Sequence, residues 1–288
     1  MTKFTRRSLL TSSVAGLAAL QIPSVAAGFD SSPTPRKGRI RQSACQWCYP
    51  HIPVDQLAEF GAQIGLRGID LLQPAEYEIP RRYGLSCTMG YAGGGEIGNA
   101  LNRVENHTAI EQAFRTNIPL AAKAGVPNVI TFSGNRRGMS DDEGARNTVV
   151  GLNRLKKIAE DHGVVICLEL LNSKRDHRDY MCDHTAWGVR VMQEVNSPNV
   201  KLLYDIYHMQ IMEGDLIETI RPNIQWIGHF HTAGVPGRHE LDGTQEVQWD
   251  GVMRAVAEAG FKGYVAHEFL PTGDPKESLR KAVELCDV

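Results

Sequence analysis

What most limits this chain is an alternation along its length. Eight short apolar runs, at residues 40–47, 68–72, 85–89, 128–132, 164–170, 200–205, 226–231 and 264–269, are separated by stretches with helical spacing. Several runs are apolar without a break, as parallel strands buried on both faces must be. Helices are expected at 54–64, 107–124, 142–161, 185–195, 214–220, 251–259 and 275–285. Gly125, Gly163 and Gly260 each follow a helical run, where a left-handed cap is needed, and an apolar run begins soon after. Strands alternating with helices imply a parallel sheet. Eight such units close most simply into a single (β/α)8 TIM barrel, which takes about 250 residues, here 39–288. The alternative, an open doubly wound sheet, lacks a GxGxxG turn after its first strand. Gly93-Gly94-Gly95 has no Lys-Ser/Thr after it and reads as a flexible loop beyond the third strand.

The N-terminus reads differently. Thr5-Arg6-Arg7-Ser8-Leu9-Leu10 precedes an apolar stretch at 14–22 and the small residues Val25-Ala26-Ala27. This order predicts a twin-arginine signal peptide at 1–27, followed by a Pro/Ser/Gly-rich linker at 28–38. The expectation is export to the periplasm through the twin-arginine machinery, with a membrane tether as the outcome if the signal is not cleaved. Losing 1–27 removes Lys3, Arg6 and Arg7 and no acid, taking the formal net charge from −2 to −5. With no basic patch, that balance argues against a nucleic-acid partner. The six cysteines lack the spacing of a disulfide scaffold, and Cys45/Cys48 reads as core packing at the first strand. A homo-oligomer is allowed by the sequence but not specified by it.

Four consecutive strands finish on a metal-ligand residue: Glu169, Asp205, His231 and Glu268. A carboxylate closing a buried strand is costly unless it is paired or bound to a cation. In barrels of this class the C-terminal strand ends converge on the active site. Three carboxylates and one imidazole form a rather hard donor set, suited to one divalent ion, Mn2+ or Mg2+ first, with Co2+ or Zn2+ compatible. Asn172, His177, His208 and Arg238 follow these strands and are expected to contact substrate. Asp176, Arg178 and Asp179 are expected in a solvated loop. His229 is expected to face the helix layer or a neighbouring strand, and Trp47 to line the pocket.

These segments resemble a known family. Glu169-Leu-Leu-Asn172-Ser173, Asp205-Ile-Tyr-His208-Met-Gln210, Glu213-Gly214-Asp215-Leu216, Val235-Pro236-Gly237-Arg238-His239-Glu240 and His267-Glu268 occur in the order found in hydroxypyruvate isomerases, within the xylose-isomerase-like barrel superfamily. The resemblance runs from about Gln42 to the C-terminus. It implies that Glu169 and Glu268 touch the metal and move the proton, that Asp205 and His231 complete the coordination, and that His208 and Arg238 meet the substrate. The isomerases usually carry Gln where this chain has His231, whereas ketose 3-epimerases of the superfamily carry His. Relatives often carry Glu in place of Asp70.

The expected activity is a metal-dependent aldose–ketose isomerisation of a small hydroxy-carbonyl compound, of the hydroxypyruvate/tartronate semialdehyde type, by enediolate proton transfer between Glu169 and Glu268. The alternatives are a ketose 3-epimerase or other keto-sugar isomerase, a non-catalytic sugar-binding barrel, and a hydrolase like the abasic-site endonucleases. The last would need several zinc ions and more histidines than the 10 present.

Overall fold

The computed structural model describes residues 37–288. The signal and most of the linker expected at the N-terminus lie outside the described residues. Eight parallel strands form a closed barrel in sequence order: β1 (Arg41–Cys45), β2 (Gly68–Leu72), β3 (Ser86–Gly94), β4 (Asn128–Thr131), β5 (Val165–Leu170), β6 (Val200–Asp205), β7 (Ile227–Thr232) and β8 (Tyr264–His267). Closure is made by β1 on β8, with Arg41 beside Tyr264 and Ala44 beside His267.

Around the barrel run α1 (Val54–Gln63), α2 (His107–Lys123), α3 (Asp141–His162), α4 (Thr185–Val195), α5 (Ile206–Met212), α6 (Leu216–Asn223), α7 (Trp249–Glu258) and α8 (Pro275–Leu285). Their buried residues recur at helical spacing; α1 buries Val54, Leu57, Ala58 and Gly61. One apolar stripe therefore faces the strands and the rest of the helix faces water. The core fills the layer between strands and helices with residues such as Leu57, Ile69, Phe114, Leu152 and Val256, all at most 1% exposed. Ser140, Gln248 and Asp274 cap α3, α7 and α8 by accepting a backbone N–H three residues on.

The barrel agrees with the sequence expectation, and three differences matter to the site. First, β3 runs on to Gly94, so Gly93 and Gly94 are strand and not a flexible loop. A Cβ on Gly94 would stand 2.4 Å from the Ile130 carbonyl oxygen, a close approach that only glycine permits. Second, β1 stops at Cys45, and Gln46–Cys48 turns as a short 3-10 helix. Third, a helix not foreseen, α5, starts directly at the end of β6. Asp205 caps it by accepting from Tyr207 N at 2.8 Å and His208 N at 3.3 Å. Between β2 and β3, where no helical run is expected, the structure has only the 3-10 turn Ile79–Tyr83. All six cysteines are free and buried. Among the described residues, no helix is long and apolar enough to cross a membrane.

Candidate active site

Glu169 near the end of β5, Asp205 at the end of β6, His231 near the end of β7 and Glu268 just past β8 meet at the C-terminal mouth of the barrel. One ligand atom from each lies within 4.8 Å of the others. His231 Nδ1 is 2.9 Å from a Glu268 carboxylate oxygen and 3.5 Å from one of Glu169. None of the four is more than 5% exposed. The donor set fits a divalent cation on a structural ground as well as a chemical one. Asp205 Oδ2 is buried and accepts no hydrogen bond; the nearest cationic group, Arg238 Nη2, stands 3.7 Å away. An orphaned carboxylate oxygen facing two other carboxylates is tolerable only beside positive charge.

The electrostatics express the same crowding. Burial pushes Asp205 up to about 8, with the neighbouring Glu268 charge adding to it. Burial likewise raises Glu169. Burial alone would raise Glu268 too, but His231, Arg238 and Trp47 outweigh it and hold this carboxyl well below its ordinary range. Its oxygens accept from Trp47 Nε1 and Arg238 Nη2, each at 2.7 Å. The two glutamates thus sit in unequal settings, one held as the anion by donors, the other pressed toward its protonated form.

Beneath the cluster lies a buried polar network that the sequence reading mislocated. His229 does not face the helix layer. Residues two apart on a strand share a face, so His229 points inward like His231, one step deeper. The two rings meet edge to face at 5.3 Å. Asp70 on β2 joins them: its Oδ2 is 2.6 Å from His229 Nε2 and 3.3 Å from His231 Nε2. Its Oδ1 accepts from Ser43 and Thr88. Asp70 thereby turns the His231 ring so that Nδ1 faces the three carboxylates, as an anchoring carboxylate does behind a ligating histidine. A lone carboxylate inside the apolar run Gly68-Ile-Asp70-Leu-Leu was the available signal for this role.

The expected substrate residues divide into two groups. Arg238 and His177 line the cavity above the cluster. His208 is fully buried, its Nε2 3.5 Å from Asp205 Oδ2 and 3.4 Å from Arg238 Nη1. Asn172 stands behind it: its amide nitrogen is 2.6 Å from His208 Nδ1 and donates to Asp176 at 2.7 Å, while its oxygen accepts from the Arg175 and Asp176 backbone. Asp176 also accepts from the Tyr207 hydroxyl at 2.8 Å, so its carboxylate is engaged although the residue is exposed. Arg178 and Asp179 are exposed, as expected. Arg238 passes between the rings of Trp47 and Tyr207, 5.2 and 5.3 Å from their centroids. It adopts a left-handed backbone, φ 60°, a strain of about 1–3 kcal/mol for a non-glycine residue that is sustained by its pairing with Glu268.

The cavity has a volume of about 280 Å³. Its lining combines the polar side chains of Glu169, Glu268, Arg238 and the half-exposed Trp47 with the apolar Leu71, Ile130, Phe132 and Leu171. Tyr91 on β3 also lines it; it lies beyond Met89, where the sequence reading ends the third strand.

The family model for the xylose isomerase-like TIM barrel matches residues 78–287. Hydroxypyruvate isomerase of Escherichia coli is 26% identical over 242 residues, covering 78% of this chain and 92% of that protein. The 2-oxo-tetronate isomerase of Cupriavidus necator is 32% identical over 121 residues, 42% of this chain and 46% of that protein. A solved structure from Brucella melitensis, titled AP endonuclease family 2, shares the fold with a TM-score of 0.76 at 22% identity, covering 83% of this chain and 96% of that one. With a closed eight-stranded barrel, an acidic cluster at its mouth and a family match over most of its length, this chain belongs to the xylose isomerase-like TIM barrel family.

Proposed function

We infer that the chain is a divalent-metal-dependent isomerase that interconverts a small 2-hydroxy-ketone and the matching 2-hydroxy-aldehyde, of the hydroxypyruvate/tartronate semialdehyde kind. The observation that carries this reading is the presence of Glu169 and Glu268 at one cavity in unequal surroundings. The isomerase names of the relatives support it. Glu169, Asp205, His231 and Glu268 would hold the ion, Mn2+ or Mg2+ by donor type. When bound, such an ion polarises a carbonyl and stabilises negative charge on the adjoining oxygens.

The chain's own residues supply the rest. Glu268, held as the anion by Trp47 and Arg238, takes the proton from the hydroxyl-bearing carbon. Glu169, protonated at the start, gives its proton to the adjacent, former carbonyl carbon, and the hydroxyl hydrogen passes from one oxygen to the other, so the substrate's formula is unchanged; exchange with solvent then takes the proton from Glu268 and restores the one on Glu169. Arg238 and His208 steady the developing oxyanion. The apolar wall keeps water from the intermediate. The reading includes export through the twin-arginine route, supported by Arg6-Arg7 and the apolar residues after them.

A specific residue favours a second reading. His231 occupies the position where ketose 3-epimerases carry His, and return of the proton to the opposite face of the same carbon would give epimerisation. One experiment addresses both. The Mn2+-loaded protein is incubated in D2O with hydroxypyruvate and with small ketoses. Deuterium should enter the substrate carbon, cease after chelation and resume when Mn2+ is restored. Deuterium in an aldose–ketose pair marks the isomerase, and deuterium in an epimeric ketose marks the epimerase. Exchange that survives thorough chelation would sink the metal-dependent scheme.

A further inference from the structure

Leu71 is the least expected residue at the cavity. Along β2, Asp70 points into the barrel, where it contacts Ser43, Thr88, His229 and His231. Alternation would therefore send Leu71 outward to the helices. Instead its φ is 59°, the pairing with β3 slips between Asp70 and Leu72, and Leu71 lines the cavity, 6% exposed. Left-handed backbone disfavours a bulky residue, and glycine would adopt it freely. Strain of this kind persists at functional sites where the surroundings impose it. What the distortion delivers here is one more apolar residue in the cavity that Ile130, Phe132 and Leu171 also line.

The lining is thus mixed. Its charged groups are those of Glu169, Glu268 and Arg238. Trp47, Tyr91 and His177 bring the other polar atoms; Leu71, Ile97, Ile130, Phe132 and Leu171 are hydrocarbon. Arg238, the cation lining this cavity, is already paired with Glu268 at 2.7 Å. We propose that Leu71 is a specificity-determining residue, and that the substrate is a neutral 2-hydroxy-ketone with a short alkyl or deoxygenated arm lying on the wall formed by Leu71, Ile130, Phe132 and Leu171. This rests on the isomerase reading above and departs from it in the substrate, a neutral ketone in place of a carboxylate-bearing one. Hydroxypyruvate presents the same reactive head but carries a carboxylate where the wall offers hydrocarbon. A fully hydroxylated arm would bury hydroxyl groups without partners, which costs more than the contact returns.

The test is a chain-length series with the full, Mn2+-loaded protein, following deuterium uptake from D2O into hydroxyacetone, 1-hydroxy-2-butanone, 1-hydroxy-2-pentanone, erythrulose and hydroxypyruvate. Each added methylene should raise kcat/KM roughly fourfold, the ratio equivalent to burying one CH2. Erythrulose should fall below 1-hydroxy-2-butanone, which has the same carbon skeleton. In Leu71→Gly, which suits the left-handed backbone and so preserves the fold, the preference for 1-hydroxy-2-pentanone over hydroxyacetone should shrink several-fold. Exchange that is flat with chain length, or best with erythrulose or hydroxypyruvate, overturns the apolar-arm assignment and leaves the isomerase reading standing. A preference unchanged in Leu71→Gly overturns the role of Leu71. Exchange into none of the five compounds overturns the isomerase reading, and this assignment with it.

Discussion

At the scale of single residues, the site is governed by what buried charge demands. Glu169, Asp205 and Glu268 could be picked out because each breaks an apolar run at its end, where a carboxylate needs a partner. Asp70 breaks its run in the middle and could have been read the same way. His229 was misplaced because strand residues two apart face the same side, and the pair His229/His231 should have been taken together. The result is that two residues noted separately as departures from the isomerases, Asp70 and His231, are in contact, 3.3 Å apart. If Asp70 sets the orientation of the His231 ring, Asp70→Asn should weaken Mn2+ binding to the chelated protein by about 10- to 100-fold, the usual effect of losing such an anchor. Titration followed by electron paramagnetic resonance would show it. Wild-type affinity in the variant would mean that His231 is positioned by the barrel alone.

At the scale of elements, the strands were legible to within a few residues because burial on both faces leaves few polar positions. The short elements were not. Helix α5 is too brief for periodicity to show, and it exists because Asp205 caps it while serving the site. The loop after β7 was readable as a source of substrate contacts but not as a folded unit. In the structure Glu240 ties it to the start of α8, accepting from Thr272 N and Oγ1, Gly273 N and Ser278 Oγ. Burial alone would raise Glu240, but its own backbone N–H and the donors of Thr272 and Gly273 lower its carboxyl from the ordinary 4.5 to about 2. A depressed carboxyl stabilises the fold above the unfolded value and loses that contribution as pH falls through the folded one. Between about pH 5 and pH 3, urea unfolding of Glu240→Gln should therefore lose stability less steeply with acid than the parent protein does. Parallel slopes would show that the tie is not felt globally.

At the scale of the whole molecule, eight alternating units and the convergence of four strand ends were enough to specify a barrel with an acidic centre. The cavity wall was beyond reach, because Leu71, Ile130 and Phe132 look like ordinary core residues in sequence, and only the bulge at β2 turns one of them toward the substrate. The fold accounts for why the site sits where it does: the strand ends fix the four residues of the cluster, the loops supply Arg238 and His177, and the 3-10 turn after β1 supplies Trp47. The claim on which the rest depends is that Glu268 and Glu169 share the proton. The most direct measurement is deuterium uptake from D2O into substrate carbon by Glu268→Gln, with Mn2+ occupancy and folding checked on the same sample. Uptake should fall by about 10²–10⁴-fold, the range supplied by a positioned base, and full uptake in a folded, metal-loaded variant would contradict the account.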